Sequence, residues 1–114
     1  MNKADQKRYD ALRAMGCIAC RQESVSIATL LPVEIHHLVD KGYRKHSGGN
    51  QSTIPLCSWH HRGEPIMDHS VTWMRDQFGP SMFLEAKTFA EWYGAQRELL
   101  AKVNDTIGKN RKAQ

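Results

Sequence analysis

The chain has 114 residues, of which 40% are hydrophobic and 25% charged, a balance that is ordinary for a globular protein and argues against wholesale disorder. No segment approaches the roughly 20 apolar residues of a membrane span, and the charged N-terminus lacks the apolar stretch of a signal peptide. We therefore expect one cytoplasmic domain, for which the net charge of +4 favours an anionic partner.

The first half of the chain predicts one helix and two short strands. Apolar residues at helical spacing predict a helix over residues 3–15. Strands are predicted near residues 33–38, where a loop is the alternative interpretation, and at residues 53–56, where Pro55 favours an edge position. The basic, glycine-rich stretch 40–52 should form the loop between them.

Helical patterns dominate from Ser58 onward. Residues 71–78 form one predicted helix, and a second runs from Met82 to Tyr93, after Gly79 and Pro80. Aromatic residues at this spacing usually pack in the core, and four are predicted to do so: Phe83, Phe89, Trp92 and Tyr93.

Three cysteines and one histidine form two half-sites with the same spacing. Cys17-x-x-Cys20 offers two thiolates, and Cys57-x-x-His60 offers a third thiolate and an imidazole. Zinc accepts such a set tetrahedrally, and together the half-sites use every cysteine in the chain. The sequence therefore predicts a structural Zn2+ site, against the alternative of small buried apolar residues near a chance histidine.

A second set of histidines remains after His60 is assigned to zinc. His36 and His37 end the first predicted strand, and His61 follows His60. Because neighbours on a helix point about 100° apart, His61 can face a different site from His60. Neighbours on a strand face opposite ways, so His36 and His37 can serve one site only where the strand ends.

These residues carry a family resemblance. "EIHHL", a loop containing Asn50, and "IPLCSWHHRG", preceded by "CIAC", resemble the HNH (ββα-metal) endonuclease family, and most closely the phage Ref-type RecA-dependent nucleases. The resemblance implies an α+β fold: a small ββα-metal core with a zinc knuckle, flanked by an N-terminal helix and C-terminal helices. Residues 1–108 would form a single HNH nuclease domain, followed by a basic, disordered tail of residues 109–114.

The resemblance also implies an activity. It predicts a DNA endonuclease, encoded by a phage or prophage and acting in the bacterial cytoplasm, that hydrolyses phosphodiester bonds with a catalytic divalent metal, taken to be Mg2+. Ref-type members further imply cutting of DNA bound in a RecA filament. The competing hypothesis is a zinc-stabilised DNA-binding module without catalysis, which would have no use for the second histidine set.

The resemblance assigns roles to individual residues. His37 would be the general base, because an imidazole titrates near neutrality and can take a proton from water. His36 and His61 would hold the catalytic ion, with His69 either a third ligand or a solvent-exposed side chain. Asn50 would fill the middle HNH position and brace the loop against the backbone of the base, although Gln51 or Ser52 could stand there instead.

Basic residues cluster around these histidines. A basic loop and the arginine after His61 are predicted to contact DNA phosphates, which would give salt-dependent binding with little sequence preference. The predicted DNA-binding residues are Lys41, Arg44, Lys45 and Arg62, with His46 in the same loop.

Overall fold

The computed structural model describes residues 1–23, 25, 27 and 30–112, and for residues 111 and 112 it describes the backbone alone. The fold is α+β, with its elements in this order: α1 (Lys3–Met15), α2 (Ile18–Gln22), β1 (Glu34–His37), β2 (Thr53–Leu56), α3 (Ser58–Arg62), α4 (Val71–Phe78), α5 (Ala86–Tyr93) and α6 (Gln96–Lys112). Within these residues, the connection between the strands contains two short 3-10 helices, Arg44–Ser47 and Gly49–Gln51.

The first helix, α1, has the predicted bounds. Its N-terminus is capped by Asn2, whose side-chain oxygen accepts from the Asp5 backbone N–H at 2.8 Å. The helix ends at Gly16, which has a φ of 80° and donates its N–H to the Leu12 carbonyl. Tyr9, Leu12 and Met15 lie on the buried face, as their helical spacing predicts.

The two strands form an antiparallel hairpin, which confirms both predicted strands and excludes the loop interpretation for residues 34–37. His36 lies opposite Ile54, and His37 lies opposite Thr53. Arg8 joins α1 to this hairpin, since its Nε donates to Thr53 Oγ1 at 2.9 Å and its Nη2 to the Thr53 carbonyl at 2.6 Å. A third hydrogen bond, from Nη1 to Asn104 Oδ1 at 2.8 Å, connects the same guanidinium to α6.

A single apolar cluster fills the space between the hairpin and the helices. Trp59 of α3 is almost fully buried within it, and its indole N–H donates to the Gly79 carbonyl at 2.9 Å. The hydrogen bond satisfies the one polar atom of this side chain. The largest fully buried neighbours come from five elements and include Leu12, Ile54, Leu56, Met74, Phe89, Leu99 and Val103.

The helix predicted from Met82 to Tyr93 begins later than expected. The structure starts α5 at Ala86, because Ser81 forms a turn: its hydroxyl oxygen accepts from the Leu84 N–H at 3.1 Å. The Met82 N–H instead donates to the His60 carbonyl at 2.8 Å. The apolar residues keep a helical spacing before Ala86, but the hydrogen bonds of Ser81 and Met82 form a turn there instead of a helix.

The predicted core role is confirmed for two aromatic residues and wrong for two others. Phe89 and Tyr93 are buried, each 2% exposed, whereas Phe83 is 74% and Trp92 51% exposed. Phe83 lies in the turn before α5. Trp92 directly precedes the buried Tyr93, so its side chain points about 100° away from that of Tyr93 around the helix. The Arg75 guanidinium lies 5.0 Å from the centre of the Trp92 ring instead.

The last helix extends into the predicted tail. Residues 109–112 continue α6, and Lys109 pairs with Asp105 one turn earlier at 3.0 Å, so the helix does not stop before residue 109. Residues 113 and 114 of the predicted tail lie outside the described residues. Neither α6 nor any other helix in the described part of the chain has the length and apolar content of a membrane span.

Adding a Cβ at two glycines should change the free energy of unfolding in opposite directions. Gly79 ends α4 with a φ of 86°, and a Cβ there would clash with the Tyr93 hydroxyl. We expect Gly79→Ala to lower the free energy of unfolding by about 1–3 kcal/mol. Gly108 lies within α6 with open space around it, so Gly108→Ala should raise that free energy by about 0.5–1 kcal/mol. Urea denaturation measures both values, and equal denaturation midpoints for the two variants would contradict these expectations.

Candidate metal centre and active site

Two short helices bring together four possible metal ligands. Cys17 precedes α2 and Cys57 precedes α3, so each half-site occupies the first turn of a helix. The Cys17 sulfur accepts from the Cys20 backbone N–H at 3.4 Å. All four side chains of this cysteine–histidine cluster are buried: Cys17, Cys20, Cys57 and His60.

The distances within the cysteine–histidine cluster fit a tetrahedral ion. The sulfur atoms of Cys17, Cys20 and Cys57 lie 3.6, 3.4 and 3.4 Å from Nδ1 of His60. The sulfurs of Cys20 and Cys57 lie 3.8 Å apart. Tetrahedral zinc with ordinary bond lengths would hold such atoms about 3.5–3.8 Å apart. Among the described residues, this is the one group of three or more possible ligands close enough to share an ion.

The protonation states also suit a metal. The Nε2 atom of His60 lies 2.8 Å from the Phe78 carbonyl, which can only accept, so the hydrogen is on Nε2 and the Nδ1 lone pair faces the sulfurs. Burial opposes ionisation of Cys17, yet hydrogen bonds from Cys20 and Cys57 hold its pKa well below its ordinary value. The hydrogen bonds of Cys20 to Cys17 and Cys57, together with its burial, raise the pKa of Cys20, so the thiols share one negative charge. The thiolate is the form that binds metals, so the cluster could hold a structural ion such as zinc.

The next residue of α3 faces a different set of groups. His61 lies against β1, where its Nε2 is 3.2 Å from Nδ1 of His36 and the two rings meet edge to face. The offset between neighbours on a helix accounts for this, since His60 faces the cysteines. His36 and His61 are called the facing pair below.

The other nitrogen of His61 lies against a carboxylate. Its Nδ1 is 2.7 Å from Glu34 Oε1, and the same carboxylate accepts one bifurcated hydrogen bond from Nε, shared by both oxygens, and one from Nη2 of Arg62. The Arg62 hydrogen bonds, and then that of His61, hold the pKa of Glu34 below its ordinary value against the effect of burial. Glu34 is therefore an ionised acceptor, and it accepts a hydrogen bond from Nδ1 of His61.

The other nitrogen of His36 lies against an amide oxygen. Its Nε2 is 3.3 Å from Gln96 Oε1, and the Val39 backbone N–H donates to the same oxygen at 3.3 Å. Burial lowers the pKa of His36, which keeps its ring neutral at pH 7. The hydrogen is then on Nε2, and the Nδ1 lone pair of His36 faces Nε2 of His61. Two ring nitrogens at this distance could bind one cation.

His37 points to a separate group of polar side chains. Its Nε2 lies 3.0 Å from Asn50 Oδ1 and 3.1 Å from the Tyr9 hydroxyl. Its Nδ1 is buried and has no hydrogen-bond partner among the residues that the structure describes. Of the three candidates for the middle HNH position, Asn50 is thus the one that contacts His37, and it does so through the ring rather than the backbone. Gln51 instead donates to Asp5 at 2.9 Å.

The remaining predicted site residues have other partners or face solvent. The His69 ring stacks on Trp73 with centres 3.6 Å apart, and within the described chain His69 does not form a group with His36 and His61 that could share an ion. His46 lies 3.0 Å from the Tyr43 hydroxyl. Three of the predicted DNA-binding residues are exposed on the β1–β2 connection: Lys41, Arg44 and Lys45. The fourth, Arg62, forms an ion pair with Glu34.

Four residues of the site were not identified from the sequence. Glu34 is two positions from His36 on β1, so the strand period gave a signal that both side chains share a face. Gln96 reaches the site from α6, and Tyr9 and Asp5 reach it from α1. No local pattern connects these three to the histidines, because they meet only through the packing of the helices.

An antiparallel hairpin and a following helix, with a buried cluster that could hold a metal, define a small α+β domain with a metal-ligand set at its centre. Residues 2–107 match the model of the family described as recombination enhancement, RecA-dependent nuclease. The match covers most of the chain, which therefore belongs to this family of nucleases. No curated protein matches the chain.

Adjacent histidines provide a matched test of the cysteine–histidine cluster. We expect His60→Ala to lose the bound metal and to unfold at lower temperature, because one of the four ligands is missing. His61→Ala should keep about one zinc per chain, since this side chain faces Glu34 and His36. Mass spectrometry of metal content and thermal unfolding with and without a strong chelator measure both effects. The assignment fails if His61→Ala loses zinc while His60→Ala retains it, or if folded wild-type protein contains none.

Proposed function

We propose that the chain is a metal-dependent DNA endonuclease of the HNH type, in which β1, β2 and α3 form the ββα-metal core. The main support for this proposal is the facing pair, in which Nδ1 of His36 and Nε2 of His61 lie 3.2 Å apart while the other nitrogen of each ring contacts an oxygen acceptor. Two nitrogen ligands of one ion, each bonded at about 2.1 Å, lie roughly 3.0–3.4 Å apart. Membership of a nuclease family supports the same conclusion.

The proposed catalytic ligands are His36 and His61, and the proposed ion is Mg2+. A divalent ion bound there would polarise the scissile phosphate and stabilise the leaving oxygen. Glu34 and Gln96 orient the two rings by accepting their N–H groups, as outer partners of metal-binding histidines commonly do. Imidazole favours transition metals over Mg2+, which prefers oxygen ligands, so Mn2+ and Ni2+ serve as comparison ions in any assay.

His37 is the proposed general base. Its Nδ1 atom is buried without a hydrogen-bond partner among the described residues, which is costly for a polar atom. Because Nε2 faces the Asn50 oxygen, the Nδ1 lone pair is the one left to take a proton, and the attacking water would have to reach this buried atom when DNA binds. The unsatisfied nitrogen therefore supports a chemical role for His37 rather than a packing role.

The connection between the strands is the proposed DNA-binding surface. Lys41, Arg44 and Lys45 are exposed on it, close in the chain to the end of β1, where His37 lies. Such side chains would hold phosphates without reading the base sequence. Arg62 is paired with Glu34, so we propose that it holds this carboxylate against His61 instead of contacting DNA.

The proposed substrate is DNA bound in a RecA filament, because the family is described as RecA-dependent. We further propose that residues 1–108 act as one HNH nuclease domain, encoded by a phage or prophage, in the cytoplasm of a bacterial host. The net charge of +4 is consistent with a polyanionic partner.

His37→Ala tests the proposed mechanism. The variant should fold, keep its zinc and bind DNA as the wild type does, because His37 belongs neither to the cysteine–histidine cluster nor to the basic surface. Loss of the general base should slow cleavage about 10²- to 10⁴-fold. The measurement is the rate of strand cleavage on RecA-coated single-stranded DNA paired with a homologous duplex, in Mg2+, with uncoated DNA as comparison.

His36→Ala is the matched variant on the neighbouring residue. It should also lose cleavage, but through weaker ion binding, so raising the divalent-ion concentration should partly restore its rate and should not restore that of His37→Ala. Cleavage by purified His37→Ala at the wild-type rate would exclude this residue as the base. Absence of cleavage by the wild type under all conditions, with DNA binding retained, would favour a zinc-stabilised binding module.

A further inference from the structure

Asp5 lies on α1, outside the hairpin that carries the proposed site, and its carboxylate contacts the β1–β2 connection. Its Oδ2 accepts from Asn50 Nδ2 at 3.0 Å, and its Oδ1 accepts from Gln51 Nε2 at 2.9 Å. These two hydrogen bonds lower the pKa of Asp5, whose residue is only 9% exposed. Asp5 is therefore ionised at neutral pH and can only accept hydrogen bonds.

An acceptor at this position determines which way the Asn50 amide points. The NH2 group of Asn50 must face Asp5, so the amide oxygen faces the opposite side. There it lies 3.0 Å from Nε2 of His37 and accepts from the Tyr9 hydroxyl at 3.1 Å. A reversed amide would present two N–H donors to His37 and place its oxygen against the carboxylate.

The orientation of the amide in turn determines the tautomer of His37. The Asn50 oxygen cannot donate, so the hydrogen bond at 3.0 Å requires the hydrogen on Nε2 of the imidazole. A neutral imidazole carries one N–H group, which leaves the lone pair on Nδ1. This is the nitrogen that is buried without a partner among the described side chains and backbone groups.

We propose that Asp5 is a positioning residue of the active site: acting through the Asn50 amide, it holds His37 in the tautomer whose Nδ1 lone pair is free. The catalytic meaning of that lone pair rests on the proposed nuclease function, whereas the tautomer is a property of the free protein. The Asp5 carboxylate contacts Asn50 and Gln51, and none of the hydrogen bonds found among the described residues joins it to His36, His37 or His61. Its effect passes through two hydrogen bonds, from carboxylate to amide and from amide to imidazole.

Nitrogen-15 NMR of the zinc-containing protein tests the tautomer without any cleavage. At about pH 8, where an ordinary imidazole is neutral, wild-type His37 should show two well-separated ring nitrogen shifts, with the hydrogen on Nε2. In Asp5→Ala the two shifts should move towards each other, because the amide can then rotate. Asp5→Asn should retain most of the wild-type separation, since its side-chain oxygen can still accept from Asn50.

Asp10 provides the matched control on the same helix. Its carboxylate is exposed and contacts Gln6 and Arg13 of α1, so Asp10→Ala should leave the His37 shifts unchanged. If Asp5→Ala does not fold, Asp5→Leu fills similar space with a stronger helix former and still removes the acceptor. Wild-type shifts in the folded Asp5→Ala or Asp5→Leu variant would overturn the proposal.

Cleavage kinetics supply the second measurement. We expect kcat of Asp5→Ala to fall about 10- to 100-fold with KM nearly unchanged, and Asp5→Asn to recover most of this loss. A rise in KM alone, with kcat and the His37 tautomer unchanged, would overturn the positioning role. If the wild type does not cleave DNA while Asp5→Ala still changes the tautomer, the nuclease proposal fails and the structural effect of Asp5 stands.

Discussion

Three thiols and one imidazole converge where α2 and α3 begin, and the position of the candidate active site depends on this convergence. The cysteine–histidine cluster joins two segments that are 37 or more residues apart in the chain, Cys17 to Cys20 and Cys57 to His60. A chain of this size buries only a modest core, so an ion held by four buried ligands would add much of its stability. Nε2 of His60 extends the same connection to the Phe78 carbonyl at the end of α4.

The cluster also determines where the facing pair lies. Cys57 directly follows β2, so a fixed Cys57 sets the direction of α3 relative to the hairpin. With His60 directed at the cysteines, the helical offset turns His61 towards β1 and His36. The rings are then oriented by Glu34 on β1 and Gln96 on α6. Two adjacent histidines of one short helix thus face two different groups, His60 the three cysteines and His61 the side chains of β1.

Local patterns predicted the parts of this structure that depend on local interactions. The bounds of α1, β2 and α4 follow from apolar spacing and from glycine at the helix ends. The ligand set of the cluster follows from two half-sites with equal spacing, and the offset between His60 and His61 follows from helix geometry. Each of these features involves residues close together in sequence, where a periodic pattern carries the information.

The features that could not be predicted arise where distant segments meet. Asp5 and Asn50 are 45 residues apart, and His36 and Gln96 are 60 apart, so no spacing rule connects them. The exposure of Phe83 depends on a turn made by Ser81, which the apolar pattern does not report. The partner of Arg62 was missed for a related reason: a basic residue near histidines fits a phosphate contact and an ion pair equally well.

We propose that the facing pair binds a divalent ion. Anomalous diffraction from crystals of the zinc-containing protein soaked in Mn2+ tests this binding, because manganese and zinc are distinguished by their absorption edges. We expect a manganese peak between Nδ1 of His36 and Nε2 of His61 in the wild type, and its loss in His61→Ala while the zinc peak at the cysteine–histidine cluster remains. Manganese-supported cleavage by wild-type protein whose crystals show no peak between these nitrogens would exclude the facing pair as the site of the catalytic ion.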